Sequence, residues 1–419
     1  MRTILHSDLN NFYASVEVLK NPDLKGVPIA VCGSVEDRHG IVLAKNQIAK
    51  EYGVKTGEVL WQAKKKCPNL VNVPVDFPSY IAVSHKVREI YGRFTDRIEP
   101  FGIDECWLDV TESLKIFGSG EQIAQKIRKV IKEEIGVTVS VGVSYNKIFA
   151  KLGSDMKKPD AVTVITPENY KEKVWPLPVE DLLYVGHATK KKLNMVGIHT
   201  IGDLANTDEK FLTRMLGAWG KSLYTNANGF DLSPVVARGE ESTLKSIGNS
   251  MTDYKDLTCF DEVKTLLLLL SESVAARLRE SGLGRAKTIK ITVTDNKLQT
   301  FGKQVTLINP TKTAGEIASV AYNLFESLYK WENPVRGAGV SVSNFTLGLE
   351  QLSFDFDGDK RKKQDLLDTT VDKIRAKYGN TSLQRARILQ DEKLAHTDIK
   401  GEHIISAKDS NEQEQSFDE

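Results

Sequence analysis

Cysteine is scarce. Four residues (Cys32, Cys67, Cys106, Cys259) are spread over 419 positions with no C-x-x-C pair. That excludes a disulfide framework and a structural zinc site, and leaves scattered reduced thiols. Long apolar runs are missing as well. The longest, Leu266 to Leu270, is five leucines, far short of the roughly 20 residues that cross a bilayer. The N-terminal stretch Met1-Arg2-Thr3-Ile4-Leu5-His6-Ser7-Asp8 turns polar too soon for a secretory signal, so a cytoplasmic protein without a membrane partner is expected. Neither sign of charge is in excess: 57 basic residues face 56 acidic ones, which argues against coating nucleic acid by bulk charge. With 40% apolar and 27% charged residues, collagen, a disordered chain and a coiled-coil rod are excluded, and about three soluble domains are expected.

The balanced total hides a gradient. Between Arg277 and Lys303 seven Lys/Arg stand against two acids, and from Gln390 onward three lysines face nine Asp/Glu. A basic face and an acidic tail can coexist in such a chain.

Thr3 to Ser7 reads as a short strand ending at Asp8. Tyr80, Val83, Val87, Ile90, Tyr91 and Phe94 fall on one face of a helix over 79–96. Arg97 to Phe101 and Cys106 to Val110 read as strands joined by the turn Gly102-Ile103-Asp104-Glu105. Ile123, Ile127, Val130, Ile131 and Ile135 mark a second helix stopped by Gly136, and Val137 to Val143 alternates like a half-buried strand. The order is β-α-β-β-α-β, ferredoxin-like, interrupted after the first strand by some 65 residues. The same order recurs late: a strand over 245–251, a helix over 261–282, the alternation of Ile289, Ile291 and Val293, a hairpin partner over 299–307, a helix over 314–331 and a closing strand over 337–346. Between the two copies, 175–237 reads as a helical module with a hairpin at Val185-Gly186-His187-Ala188-Thr189. One more helix is expected over 363–378, and the last dozen residues cannot bury a core.

In the ferredoxin-like order the first strand is central, so Asp8 at its end can meet Asp104 and Glu105 in the turn. Carboxylates that close repel and raise one another's pKa unless a cation neutralises them. A hard divalent ion suits oxygen ligands, and two such ions clamp an in-line phosphoryl transfer. Helix capping by Asp8 and turn service by Asp104 are the alternative.

Asp8-Leu9-Asn10-Asn11-Phe12-Tyr13-Ala14-Ser15-Val16-Glu17, Ile103-Asp104-Glu105-Cys106-Trp107-Leu108-Asp109, and Val141-Gly142-Val143-Ser144-Tyr145-Asn146-Lys147 through Asp155-Met156-Lys157-Lys158-Pro159 together resemble the signature blocks of the Y-family (translesion) DNA polymerases, of the bacterial polymerase IV and polymerase V catalytic-subunit type. The resemblance runs in order from residue 1 to about residue 350. It implies an α+β multidomain right-hand polymerase: a ferredoxin-like palm (1–10 and 77–166), inserted fingers (11–76), a helical helix-hairpin-helix thumb (167–232), a linker (233–244), a β-α-β-β-α-β little finger (245–349), and a clamp-binding peptide with a partly disordered tail (350–419).

Residue by residue, the resemblance implies that Asp8, Asp104 and Glu105, with the Leu9 backbone carbonyl, bind two Mg²⁺ ions, for which Mn²⁺ can substitute. Tyr13 takes the place of the steric gate against a 2′-hydroxyl; core packing is the alternative for Phe12 and Tyr13. Asn11, Phe12, Ile41, Leu43, Asn46, Lys50 and Lys158 fall where the family meets the incoming deoxyribonucleotide, with Ile41 and Leu43 roofing the nascent base pair. Primer-template DNA is expected on Arg285, Lys287, Thr288, Lys290 and Thr292, for which a solvated sheet face is the alternative. Gln351-Leu352-Ser353-Phe354-Asp355-Phe356 is similar to a sliding-clamp peptide, anchored by Gln351, Leu352, Phe354 and Phe356; a strand extension is the alternative.

The chain departs from the family pattern in several places. Gln47 and Lys50 replace a Tyr-x-x-Arg pair, and lysine lacks the bidentate fork of arginine. In this the fingers resemble the polymerase V catalytic subunit more than polymerase IV. Gly102 stands where a serine is usual, and Ala188 where the thumb hairpin has glycine. The implied activity is template-directed, low-fidelity DNA synthesis by a monomer without proofreading. A catalytically weak DNA- and clamp-binding scaffold is the alternative.

Overall fold

Ile4 to Leu9 carries polar residues at three successive positions, His6, Ser7 and Asp8, yet every residue of it is buried, because this strand is central in its sheet and covered on both faces. The computed structural model describes residues 1–34, 38, 40–237, 244–346 and 358–398. Residues 351–356, expected to form a clamp-binding peptide, and the acidic tail beyond 398 lie outside the described residues. In chain order the strands are β1 (Ile4–Leu9), β2 (Ile29–Cys32), β3 (Val42–Lys45), β4 (Val71–Pro74), β5 (Ile98–Pro100), β6 (Glu105–Asp109), β7 (Val139–Ser144), β8 (Val162–Val164), β9 (Ser246–Leu257), β10 (Arg285–Asp295), β11 (Thr300–Thr311) and β12 (Val335–Thr346). The chain divides into two compact units, the first holding residues 1–33 and 41–237, the second residues 244–346 and 358–398.

The palm sheet of the first unit has the order β5-β6-β1-β7-β8. β1 runs antiparallel to β6 and β7, which gives the expected ferredoxin-like core, and β8 adds a parallel edge strand not foreseen from the sequence. Side chains alternate across β1. Leu5 and Leu9 point into a core with Tyr91, Ile123, Ile127 and Ile131 from the helices Phe77–Gly92 and Gly120–Glu134. His6 and Asp8 point the other way, where the helix Lys147–Met156 lies. The first helix starts at Phe77 rather than Ser79: Asp76 caps it by accepting from Ser79 N, and Pro78 fits the first turn. The second is set by a capping box between Ser119 and Gln122 and ends before Gly136 at φ 87°.

The fingers insertion forms its own sheet, β3-β2-β4, with β2 parallel to β4. A parallel pair needs a crossover, supplied by the helices Gln47–Glu51 and Leu60–Lys66. Small side chains fill the core, including Ala30, Cys32, Ala49, Ala63 and Cys67. The thumb is helical throughout, packed around Leu193, Ile198, Ile201, Leu204, Leu212 and Leu223.

The second unit repeats the palm's element sequence but winds it differently. Its sheet runs β11-β10-β12-β9, so the second and fourth strands are central, whereas in the palm the first and third are. The leucine run lies in the helix Phe260–Glu280, buried on nearly all sides. The sheet, the helix Ala314–Leu328, Ile388 and Leu394 share its core. The long helix Gly358–Tyr378 starts before the expected Lys363. It attaches through ion pairs: Asp372 accepts from Arg279 at 2.6 Å, Arg375 reaches Glu272 at 2.9 Å, and Arg385 beyond the helix reaches the same Glu272 at 2.5 Å. Among the described residues no helix is long and apolar enough to cross a membrane.

Candidate active site

The register of β1 on β6 places Asp8 directly opposite Glu105, so both carboxylates stand on the same face. Glu105 is thus the first residue of β6 rather than a turn residue. Its carbonyl accepts from Phe101 N at 2.8 Å and closes the turn one residue early. Asp104 remains in the turn and is held against β1 by its carbonyl, which accepts from Leu9 N at 3.0 Å. Gly102, at φ 83°, supplies the left-handed residue this tight turn requires. Two side chains from the Phe77–Gly92 helix clamp the turn: Ser84 Oγ donates to the Ile103 carbonyl and Arg88 Nη2 to the Gly102 carbonyl at 3.1 Å.

Two ammonium groups lie among the carboxylates. Lys158 Nζ donates to Asp8 at 2.7 Å and contacts Asp155 at 2.9 Å. Lys151 Nζ donates to Glu105 Oε1 at 2.9 Å and lies 3.8 Å from Asp8. Burial holds the Asp8 carboxyl well above the usual carboxylate range, against the pull of Lys158 and with the Glu105 charge adding to it. Burial and the same Glu105 charge push Asp104 up to about 6. Glu105 moves the other way: burial opposes ionisation, but His6 and Lys151 outweigh it and hold the carboxyl low.

Among the described residues no three carboxylate, imidazole or thiol groups stand close enough together to enclose a metal ion; lysines provide the positive charge instead. The donor set nonetheless fits a hard divalent cation. It consists of carboxylate oxygens that need counter-charge, and two mobile-stemmed ammonium groups already stand in for it.

Tyr13 lies beside this edge. Its ring stacks on Tyr80 (4.4 Å, 7°) and meets Phe77 edge-on (6.0 Å), and Tyr80 is fixed in turn by donating to Glu17 at 2.8 Å. Burial and the nearby Asp104 charge push the Tyr13 phenol up to about 12. Phe12 belongs to the core. Asn11 takes a left-handed conformation (φ 48°) at the helix start with no capping hydrogen bond from its side chain. In the fingers, Ile41 is 38% exposed and bridges Val59; Leu43 is half-buried on β3, and Lys50 is exposed. Asn46 is committed to the frame: its Oδ1 accepts from Ala49 N and Ile29 N, and its Nδ2 donates to the Val27 carbonyl.

The expected DNA residues separate. Lys287 and Lys290 are exposed and Thr292 is half-buried, whereas Thr288 is buried with its hydroxyl against Thr306 and Asn344. Arg285 pairs with Asp365 at 2.5 Å, so the helix Gly358–Tyr378 engages it. The sequence reading missed His6, Asn10 and Lys151. Asn10 is buried and ties Ser140, Thr138 and Asp160 together; with Asp8 and Asn11 as polar neighbours, nothing in the sequence set it apart.

The impB/mucB/samB family matches residues 7–155, and the C-terminal domain of that family matches residues 244–354. The chain belongs to this family, the Y-family translesion DNA polymerases. DNA polymerase IV of Acetivibrio thermocellus is 54% identical over 395 residues, covering 94% of this chain and 99% of that protein. DNA polymerase IV of Clostridium acetobutylicum is 36% identical over 397 residues, covering 93% and 99%. A solved Y-family chimera, Dbh-Dpo4(243-245)-Dbh, superposes with a TM-score of 0.72 at 26% identity, over 83% of this chain and all of that one. These polymerase IV relatives correct the leaning toward polymerase V drawn from Gln47 and Lys50: a two-residue fingers pattern carries less weight than identity along nearly the whole chain.

Proposed function

We propose that this chain adds deoxyribonucleotides to a primer 3′ end under template direction, opposite undamaged or damaged template, with low fidelity and no proofreading. The observation that carries the reading is the register pair Asp8–Glu105 with Asp104 on the adjoining turn, at a sheet edge flanked by Tyr13 and Lys158. Asp8, Asp104, Glu105 and the Leu9 carbonyl would hold two Mg²⁺ ions (or Mn²⁺), which when bound supply charge neutralisation and orientation for in-line phosphoryl transfer.

The chain's own groups do the rest. Lys158, now on Asp8, turns to the triphosphate of the incoming nucleotide. Tyr13, backed by Tyr80, places a rigid ring under the sugar and excludes a 2′-hydroxyl. Ile41 and Leu43 roof the base pair, and Lys50 reaches the phosphates as a point charge. Lys287, Lys290 and Thr292 offer an exposed strand face to the DNA backbone, a contact without sequence preference that weakens with salt. The 351–356 peptide is assigned to a sliding clamp, and the protein to the cytoplasm as a monomer.

Primer extension with Mg²⁺ tests the reading, comparing the intact protein with Asp104→Ala/Glu105→Ala and deoxyribonucleotides with ribonucleotides. Extension that requires the carboxylates and prefers deoxyribonucleotides is expected. Intact protein that binds primer-template yet never extends it, even with clamp and Mn²⁺, would overturn it in favour of a scaffold.

A further inference from the structure

His6 is fully buried, and no step above uses it. It shares the Asp8 face of β1, edge-on to Trp107 at 5.3 Å. Its Nδ1 lies 2.8 Å from Ser154 Oγ, and its Nε2 lies 3.3 Å from Glu105 Oε2. Neither Nε2 nor Oε2 completes a hydrogen bond in this geometry; the two face each other at contact distance, and Oε2 also lies 2.8 Å from Lys151 Nζ. Ser154 comes from the Lys147–Met156 helix, and its hydroxyl is also 2.7 Å from the Lys151 carbonyl.

These contacts restrict where the ring hydrogens sit. A ring protonated only at Nδ1 would turn the Nε2 lone pair onto a carboxylate oxygen 3.3 Å away at a fully buried position. Two arrangements avoid that clash. In one, the Ser154 hydroxyl donates to Nδ1 and Nε2–H faces Glu105. In the other, both ring nitrogens carry hydrogen and Ser154 donates to the Lys151 carbonyl. Both put a donor at Nε2.

We propose that His6 is a positioning residue for Glu105: Ser154 holds the ring so that its Nε2–H faces Oε2 and fixes the orientation of the carboxylate, whose two oxygens now meet Lys151 Nζ at 2.9 and 2.8 Å. The inference rests on the reading of Glu105 as a metal ligand. Partners of this kind orient ligating groups, and losing one costs metal affinity by about 10- to 100-fold. The arrangement depends on how closely the helix carrying Ser154 approaches the sheet. That approach is permitted by Gly142, which pairs with His6 across β1 and β7.

The test compares His6→Gln, which keeps an N–H donor at the reach of Nε2, with His6→Leu, which keeps bulk without a donor. Two readouts are taken: the Mg²⁺ concentration for half-maximal single-nucleotide insertion, and Mn²⁺ binding by electron paramagnetic resonance in the complex of protein, dideoxy-terminated primer-template and nucleotide. His6→Leu is expected to weaken both by about 10- to 100-fold, with His6→Gln restoring most of the loss and primer-template affinity unchanged. Wild-type metal dependence in His6→Leu, or an equal loss in both variants, would overturn the proposal. Should His6→Leu fail to fold, Ser154→Ala serves instead: a weaker shift in the same direction supports the proposal, and no shift overturns it. Full activity and Mn²⁺ binding in Glu105→Gln would instead refute the metal-ligand reading beneath it.

Discussion

Replacing Gly142 by alanine puts a methyl group into a contact that has no room for it. A Cβ there would lie 1.9 Å from the Ala150 carbonyl oxygen and 2.5 Å from Ser154 N, both backbone atoms of the Lys147–Met156 helix. Real Cβ contacts essentially never fall below 3.0 Å, so the helix must lift from the sheet by about 1 Å. Overpacking of this kind costs about 1–3 kcal/mol, which for the larger unit lowers the melting temperature by roughly 2–10 °C. The same helix carries Lys151 and Ser154 to Glu105 and His6, and misplacing a catalytic constellation by about 1 Å costs about 100-fold in rate. Calorimetric melting and single-turnover insertion should therefore both fall in Gly142→Ala. A variant with unchanged melting and unchanged insertion would refute the argument that this close approach sets the site.

Tyr13→Ala should raise ribonucleotide insertion relative to deoxyribonucleotide insertion by about 10- to 100-fold, read from paired extension assays; an unchanged ratio would remove the gate assignment. Glu262 supplies a pH prediction away from the site. Burial opposes its ionisation, but the Lys255 ammonium and the Thr258 backbone N–H hold its carboxyl down at about 2. A folded pKa below the unfolded value of about 4.3 stabilises above that value and loses the stabilisation as pH falls toward 2. Acid titration of melting should therefore be shallower between pH 4.5 and 2 in Glu262→Gln than in the intact protein. Arg279→Ala should destabilise the second unit by about 2 kcal/mol, because it strands Asp372, which accepts from Arg279 at 2.6 Å, and removes one cation, at 3.5 Å, from the buried Asp368; denaturant unfolding checks it.

Local pattern carried the palm a long way. The turn bearing Asp104 follows from short-range order, but its meeting with the strand ending in Asp8 rested on the ferredoxin-like pattern, which makes the first strand central; the second unit, with the same element order, puts its first strand at the edge. What escaped depends on contacts far apart in the chain. His6 meets Ser154 across 148 residues, and Lys151 meets Glu105 across 46; an isolated polar residue in a strand does not say which partner will satisfy it. The second unit shows the same boundary. Its β-α-β-β-α-β order was readable from periodicity, but strand order is settled by pairing between β9, β10 and β12, which no local window contains. Arg285 looked free because its partner, Asp365, sits in a helix whose inner side is charged rather than apolar.

The central claim is that the paired carboxylates perform nucleotide transfer. Single-nucleotide insertion by Asp8→Asn and Glu105→Gln, measured beside primer-template binding, tests it most directly. The account predicts binding near that of the intact protein and insertion reduced by about 1,000-fold or more, as expected when preorganised electrostatic stabilisation is lost. Insertion at the intact rate by either variant would contradict it.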